Sequence, residues 1–182
     1  MCGIAGIYNY DKNDTILNDT LEIMKKLQHR GKDSYGLSFY DDKINIIKKK
    51  GQIDDFQINN IQNIISCIGH LKYKTSNMID KNINLDEIQP VCDIKYKNIA
   101  IVHNGNIPKL EIFDTKYIYD IIVKFHDIRD GLLYLIDKIP ASYSIIVQYY
   151  DFLYVLKDKY SIRPLSYGYK GKNIHIASES VG

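Results

Sequence analysis

The sequence has no tryptophan, and only 3 cysteines and 4 prolines in 182 residues. The cysteines (Cys2, Cys67 and Cys92) are odd in number and lack the spacing of a disulfide framework, so a reduced, cytoplasmic setting is expected. The 5 histidines form no metal-type pair with them, so neither a metal nor a cofactor is expected. No stretch is rich in Gly, Ser or Pro, so no linker divides the chain. No segment approaches the ~20 apolar residues that cross a bilayer. The first apolar stretch, GIAGIY, lacks the basic lead-in of a signal peptide. A membrane partner is therefore not expected. The net charge of +2 points to no particular partner. KKK at 48–50 is the only basic run and reads as a solvated strand end. A nucleic-acid partner would need a larger basic face.

The chain has the length of one domain with a single sizeable core. GIAGIY reads as a short buried strand. ILNDTLEIMKKLQHRG reads as a helix capped by Asn18 or Asp19, with Leu21, Met24 and Leu27 along one face and Gly31 as its stop. YGLSFYDDKINIIKKKG reads as a hairpin turning at Asp41-Asp42. FQINNIQNIISC places Ile58, Ile61 and Ile65 at helical spacing, and CIGHLKYKT returns to strand. NIAIV is a buried strand with HNGN directly after it. DTKYIYDIIVKF is a helix with Ile118, Ile121, Ile122 and Phe125 inward, and RDGLLYLIDKI is a second. The remainder reads as two pairs of strands, turning at Tyr150-Asp151 and at Gly171. Hairpins with helices between them predict a layered α+β architecture.

Four segments put polar residues at strand ends or in loops: MCG, QHRGKDSYG, GHLKYKTS and HNGN. Each has a bland reading alone. Cys2 can be an incidental thiol near a terminus, QHRG a helix end, GHLKYKTS a strand with exposed cations, and HNGN a hairpin turn. The functional reading of Cys2 is specific. Removal of Met1 would leave one residue carrying a thiol and a free α-amine of pKa ~7.7–8.0, a nucleophile with its own base. HNGN has a matching reading. The Asn104 side-chain amide and the Gly105 N–H are adjacent donors suited to an oxyanion, and Pro108 obstructs a return strand.

An N-terminal Cys-Gly-Ile, then QHRG.DS.G, GH..Y.T, HNGN, IRPL and SES, in that order, resembles the glutaminase domain of class II glutamine amidotransferases. QHRG with GH..Y.T and HNGN looks most like the amidophosphoribosyltransferase branch, whose setting is purine biosynthesis. The resemblance implies an N-terminal nucleophile hydrolase fold, a four-layer αββα sandwich. It implies that Cys2 attacks the side-chain amide of glutamine, that Asn104 and Gly105 hold the oxyanion, and that Arg30 organises the site. Thr75 matches a threonine that contacts the substrate α-carboxylate. Residues 1–182 are read as a single domain of this type, without the phosphoribosyltransferase domain. The ammonia acceptor is then expected on a separate synthase or phosphoribosyltransferase chain, or elsewhere in a longer protein.

Three positions depart from the family pattern. Lys72 stands where GH.RY.T has arginine, so the charge on the α-carboxylate is kept without the bidentate fork. Ile118 stands where an aspartate holds the α-ammonium. Asp114, one turn earlier, and Asp120, two residues later, are the candidate replacements. Ser161 replaces a glycine in KDKYSIRPL, where Asp158, Arg163 and Pro164 border the site. Two other readings keep the fold. One is an impaired pseudoenzyme acting as a binding or regulatory module. The other is an N-terminal cysteine hydrolase of a different amide.

Overall fold

The computed structural model describes residues 1–53, 61–73, 85–93, 98–108 and 113–182. In chain order these form β1 (Gly3–Tyr8), α1 (Ile16–Lys26), β2 (Ser34–Tyr40), β3 (Ile44–Lys50), β4 (Ser66–Lys72), β5 (Val91–Asp93) and β6 (Ile99–Asn106). They continue with α2 (Asp114–Ile122), α3 (Ile128–Lys138), β7 (Ser142–Tyr149), β8 (Phe152–Lys157), β9 (Ser166–Lys170) and β10 (Asn173–Ala177). One antiparallel sheet has the order β3-β2-β4-β1-β10-β9 and the other β5-β6-β7-β8.

Alternation along each strand sorts the apolar residues into three layers. Ala5 and Ile7 of β1, with Cys67 and Leu71 of β4, pack under Leu17, Leu21 and Met24 of α1. Ile4, Ile68 and Ile176 of the first sheet meet Ala100, Val102 and Ile146 of the second. The other face of the second sheet (Ile99, Ile101, Ile145, Val147) lies against Ile118, Ile121 and Ile122 of α2 and Leu132 and Leu135 of α3. The order is therefore helix, sheet, sheet, helices, which is the expected αββα sandwich. Strands covered on both faces explain the near-continuous apolar runs in NIAIV and SIIV. Burying each such side chain contributes ~1.5–3 kcal/mol.

The hairpins turn where the sequence places them. Asp42, Tyr150 and Gly171 take the left-handed conformation, with φ of 97°, 49° and 60°.

Other expectations need correction. α1 begins at Ile16 with Thr15 in the cap position, so Asn18 and Asp19 lie inside its first turn. There Asp19 accepts a bond from the Thr15 hydroxyl at 2.7 Å, and its charge complements the helix dipole. The helix stops at Lys26, followed by a single 3-10 turn over Gln28–Arg30. Gly31 is extended, with φ −165°, and is no left-handed stop. It is small for a different reason: a Cβ there would lie 2.7 Å from the backbone of Leu71 and Lys72.

The helix predicted around FQINNIQNIISC does not continue through Ile61–Ile65, which is irregular, while Ile58 lies outside the described residues. The backbone of Ile65 is taken by neighbours, donating to Tyr40 at 3.0 Å and accepting from Asn9 at 2.8 Å. These tertiary bonds override the helical spacing of the isoleucines. Phe125 falls beyond the end of α2 and packs at the edge of its core. HNGN is the end of β6 itself, paired with β7 through Asn104↔Ser144, Gly105↔Tyr143 and Asn106↔Ser142. Its strand neighbours are β5 and β7, and the next element is α2, so it is not a hairpin tip.

Candidate active site

Cys2 immediately precedes β1. Continuing the alternation of Ile4 turns its side chain toward the second sheet. β1 pairs with β4 through Gly3↔Leu71 and Ile4↔His70, so the next step of register sets Cys2 beside Lys72. Lys72 is in turn paired with Ser34 of β2. The Cys2 carbonyl accepts a bond from Arg30 Nε at 3.0 Å. Arg30 also donates through Nη1 to Glu179 at 2.6 Å, and its side chain is only 6% exposed. The stem of Arg30 lies against Gly3, whose Cβ would be 3.4 Å from Arg30 Cβ. The 3-10 turn that aims Arg30 is itself pinned: Gln28 donates to the Gly31 carbonyl at 2.5 Å and accepts from Ile53 at 2.8 Å. Ser178, just after β10, locks β1. It donates its N–H to the Ile4 carbonyl and accepts the Ile4 N–H on its hydroxyl, both at 2.9 Å.

The facing sheet supplies two donors. Asn104 shares the parity of Ala100 and Val102, so its side chain points into the space between the sheets. It is 2% exposed, and its Nδ2 has no partner among the described residues. The direction of the Gly105 N–H follows from its neighbours. In an antiparallel pair, opposed residues alternately bond each other and point outward. Tyr143, opposite Gly105, gives its N–H and carbonyl to Asp158 at 3.1 and 3.0 Å. His103, two residues before Gly105, exchanges its N–H and carbonyl with the Gln89 side chain at 2.6 and 3.1 Å. Both observations place Gly105 in an outward-pointing pair, so its N–H faces away from β7. β5 covers β6 only at Ile99–Ile101, so among the described residues no strand lies along that edge at Gly105. No side chain fits at this position. A Cβ would collide with the Ser142 carbonyl and lie 2.5 Å from His103 Nε2 and 2.8 Å from Tyr143 Cα.

The loop after β8 joins the two sheets here. Ser144, opposite Asn104, donates its hydroxyl to the Arg163 carbonyl at 3.0 Å. Arg163 Nη1 lies 3.1 Å from Met1 Sδ, so the residue before Cys2 and the residue opposite Asn104 meet through Arg163. Asp158 holds this loop by accepting from Tyr160 at 2.9 Å and Ile162 at 3.1 Å. Burial raises its pKa, but the backbone N–H groups of Tyr160, Ile162, Tyr143 and Arg163 outweigh that and keep the carboxyl below its ordinary value.

The remaining candidates divide. Lys72 is a quarter exposed, with Nζ 3.5 Å from Glu87 and 6.0 Å from the centre of the Phe113 ring. Asp114, next to Phe113, accepts the Ile107 N–H at 2.9 Å and ties α2 to the end of β6. It therefore lies at the same end of the sandwich. Asp120 is on the solvent side of α2, paired with Lys116, and no described contact links it to the others. Ile118 is fully buried in the core of α2 and the second sheet, so an aspartate at this register would face apolar packing. Thr75 lies outside the described residues.

Three contributors were not singled out from sequence: Glu179, Gln89 and His70. Glu179 sits in the SES segment, and His70 in GH..Y.T. His70 lies one row inward from Lys72, 1% exposed, with both ring nitrogens unpartnered among the described residues. Burial, with His103 and Lys72 nearby, lowers its pKa to about 3, so the ring is neutral. Gln89 lies far from any motif. Among the described residues no three His, Cys, Asp or Glu side chains gather as a metal-ligand set, and no helix is long and apolar enough to cross a membrane.

No family model matches the chain. An amidophosphoribosyltransferase of Methanocaldococcus jannaschii is 30% identical over 98% of this chain and 42% of its own length. That of Methanothermobacter thermautotrophicus is 28% identical over 99% of the chain and 42% of its own length. The Bacillus subtilis enzyme is 28% identical over 98% of the chain and 41% of its own length. The chain thus spans about two-fifths of the length of the curated relatives it matches. In structure, the glutamine phosphoribosylpyrophosphate amidotransferase of B. subtilis superposes with a TM-score of 0.79 at 22% identity, over 99% of this chain and 42% of that one. The chain is a homologue of the glutaminase domain of amidophosphoribosyltransferases, with the N-terminal nucleophile hydrolase fold of the class II glutamine amidotransferases.

Proposed function

We propose that this chain hydrolyses the side-chain amide of glutamine and releases ammonia. The observation that carries the reading is the donor pair on the second sheet. The Asn104 amide, buried and unpartnered among the described residues, faces the sheet that bears Cys2, and the adjacent Gly105 N–H points away from β7. A native fold rarely leaves a buried donor without an acceptor. An oxyanion that forms only during reaction supplies one.

Met1 is 61% exposed and open to an aminopeptidase. Once it is removed, the Cys2 amine takes the thiol proton. The sulfur attacks the amide carbon, and the carbonyl oxygen becomes an oxyanion held by Asn104 Nδ2 and Gly105 N–H. As it collapses, the amine's proton passes to the departing nitrogen, and ammonia leaves. Water then adds to the thioester by the same route and releases glutamate. Arg30 keeps the Cys2 carbonyl in place. Lys72 and Thr75 hold the substrate α-carboxylate. Asp114, not Asp120, meets the α-ammonium, because Asp120 faces solvent.

The ammonia goes to a phosphoribosyltransferase-type synthase, on a separate chain or another part of a longer protein, in a purine-biosynthetic setting. Residues 1–182 act as a single cytoplasmic glutaminase domain. The test is intact mass, to establish loss of Met1, followed by glutamate release from glutamine for the wild type and Cys2→Ala. Release in the wild type alone supports the reading. Release no greater than that of Cys2→Ala, with Met1 absent, refutes it.

A further inference from the structure

We infer that Glu179 is a positioning residue for the nucleophile, acting through Arg30; this rests on the Cys2 reading above. Arg30 is the one side chain bonded to the Cys2 carbonyl among the described contacts. A buried guanidinium holds its direction only while its other donors are engaged. Glu179 is the engaged partner, at 2.6 Å from Nη1, while Nη2 is buried without one among the described residues. Glu179 is itself fixed from the far side, with both carboxylate oxygens 3.1 Å from His29 Nε2. The Arg30 bond is the leading cause that holds its carboxyl below the ordinary range. The preceding residue, Ser178, bonds Ile4 through both backbone and hydroxyl. The segment after β10 therefore grips the nucleophile strand twice, once through Ile4 and once through Arg30.

Glu179 does not approach the substrate in this arrangement, because Arg30 stands between it and Cys2. Its loss is therefore felt at the reacting sulfur and not in glutamine affinity. Two electrostatic effects of removing it oppose each other. Losing a negative charge favours the thiolate, whereas releasing Arg30 takes a cation away from it. Glu179 is 31% exposed and screened, while Arg30 is 6% exposed and carries the direct bond, so the release of Arg30 prevails.

The experiment uses the processed full chain. Cys2 alkylation by iodoacetamide is followed by peptide mass spectrometry, and glutamine hydrolysis by kcat and KM. Glu179→Gln is expected to lower kcat by roughly tenfold or more with KM within about twofold, and to slow Cys2 alkylation at pH 7. Glu179→Asp keeps the charge and is expected to retain more activity than the isosteric Gln. In a cycle with Arg30→Lys, the double variant is expected to be no worse than the worse single one. Multiplicative effects, a raised KM alone, or Gln outperforming Asp would each overturn the inference. If the wild type releases no glutamate while alkylation still depends on Glu179 through Arg30, the glutaminase reading fails and the positioning role stands. If hydrolysis is robust and Glu179→Gln changes neither rate, the reverse holds.

Discussion

Asn104→Ala separates a catalytic asparagine from a structural one. An asparagine buried for structural reasons spends both ends of its amide on fixed partners, so truncation costs stability. Among the described residues Asn104 Nδ2 has no partner to lose. Holding an unpaired amide away from water costs ~1–3 kcal/mol, and truncation removes that cost. The opposing cavity term, at ~24 cal/mol per Å³, stays below ~1 kcal/mol for so small a deletion. The two together predict a variant as stable as the wild type, or more so by ~1 kcal/mol, which is ~2–4 °C in Tm for a chain of this size. Catalysis should move the other way. Removing one oxyanion donor costs ~2.7–4 kcal/mol in the transition state, a fall of ~10²–10³ in kcat. Because the donor acts on charge that is absent from bound glutamine, KM should change little. Thermal unfolding and steady-state glutamate release measure the two halves separately. A fall of more than ~5 °C in Tm with kcat reduced less than tenfold would refute the reasoning, since it would mean that the amide serves the fold.

Two further outcomes test the surroundings of the site. Ser161 holds φ 53° in the loop that Asp158 organises. A left-handed backbone costs a residue with a Cβ ~1–2 kcal/mol, so Ser161→Gly should raise stability by ~1 kcal/mol in urea unfolding; a lower midpoint would contradict this. His70 and His103 each have a folded-state pKa of about 3, lowered mainly by burial, against ~6.5 in the unfolded chain. Between those values the unfolded chain binds protons that the folded chain refuses, so the stability present above ~6.5 is lost as pH falls, by up to ~1.4 kcal/mol per pH unit for each histidine. Unfolding midpoints at pH 7 and pH 5 should show this, His70→Gln should roughly halve the slope, and a flat profile would contradict it.

What the sequence reveals depends on how local the cause is. The strand pairs turning at Asp42, Tyr150 and Gly171 were legible because alternation and turn chemistry lie within a dozen residues. α2 and α3 were legible from the spacing of Ile118, Ile121, Ile122, Leu132 and Leu135. The stretch Ile61–Ile65 misled because its isoleucines keep helical spacing while its backbone is bonded to Tyr40 and Asn9. HNGN was not legible as strand, since asparagine and glycine disfavour strands and only the pairing with β7 overrides them. Candidates Cys2, Arg30, Lys72 and Asn104 came from the order of short motifs. Their supports did not. Glu179 reaches Arg30 across 149 residues of sequence, and Gln89 substitutes for a strand at His103 through side-chain atoms alone. Neither contact leaves a periodicity to read.

The departure at Lys72 has a different weight from a change at Asn104, and burial is the reason. Asn104 and Arg30 are enclosed, so a lost bond there is not replaced by water. Lys72 stands at the end of β4, a quarter exposed, facing a Glu87 that is 55% exposed. Such a pair is worth only ~0.2–1 kcal/mol, so an incoming carboxylate can displace Glu87 at little cost. Because an ammonium is a point charge on a flexible stem, it re-pairs without the planar alignment that a guanidinium requires. The price is directionality, which is felt in how tightly and in what pose glutamine sits. In the proposed mechanism the bond-making step depends on Cys2, Asn104 and Gly105, whose backbone placement is set by strand register and by the tether through Arg30, not by the Lys72 ammonium. On the proposed function, lysine in place of arginine at this position is therefore expected to weaken substrate capture while leaving the thioester chemistry intact; a Lys72→Arg variant with unchanged KM for glutamine would contradict this.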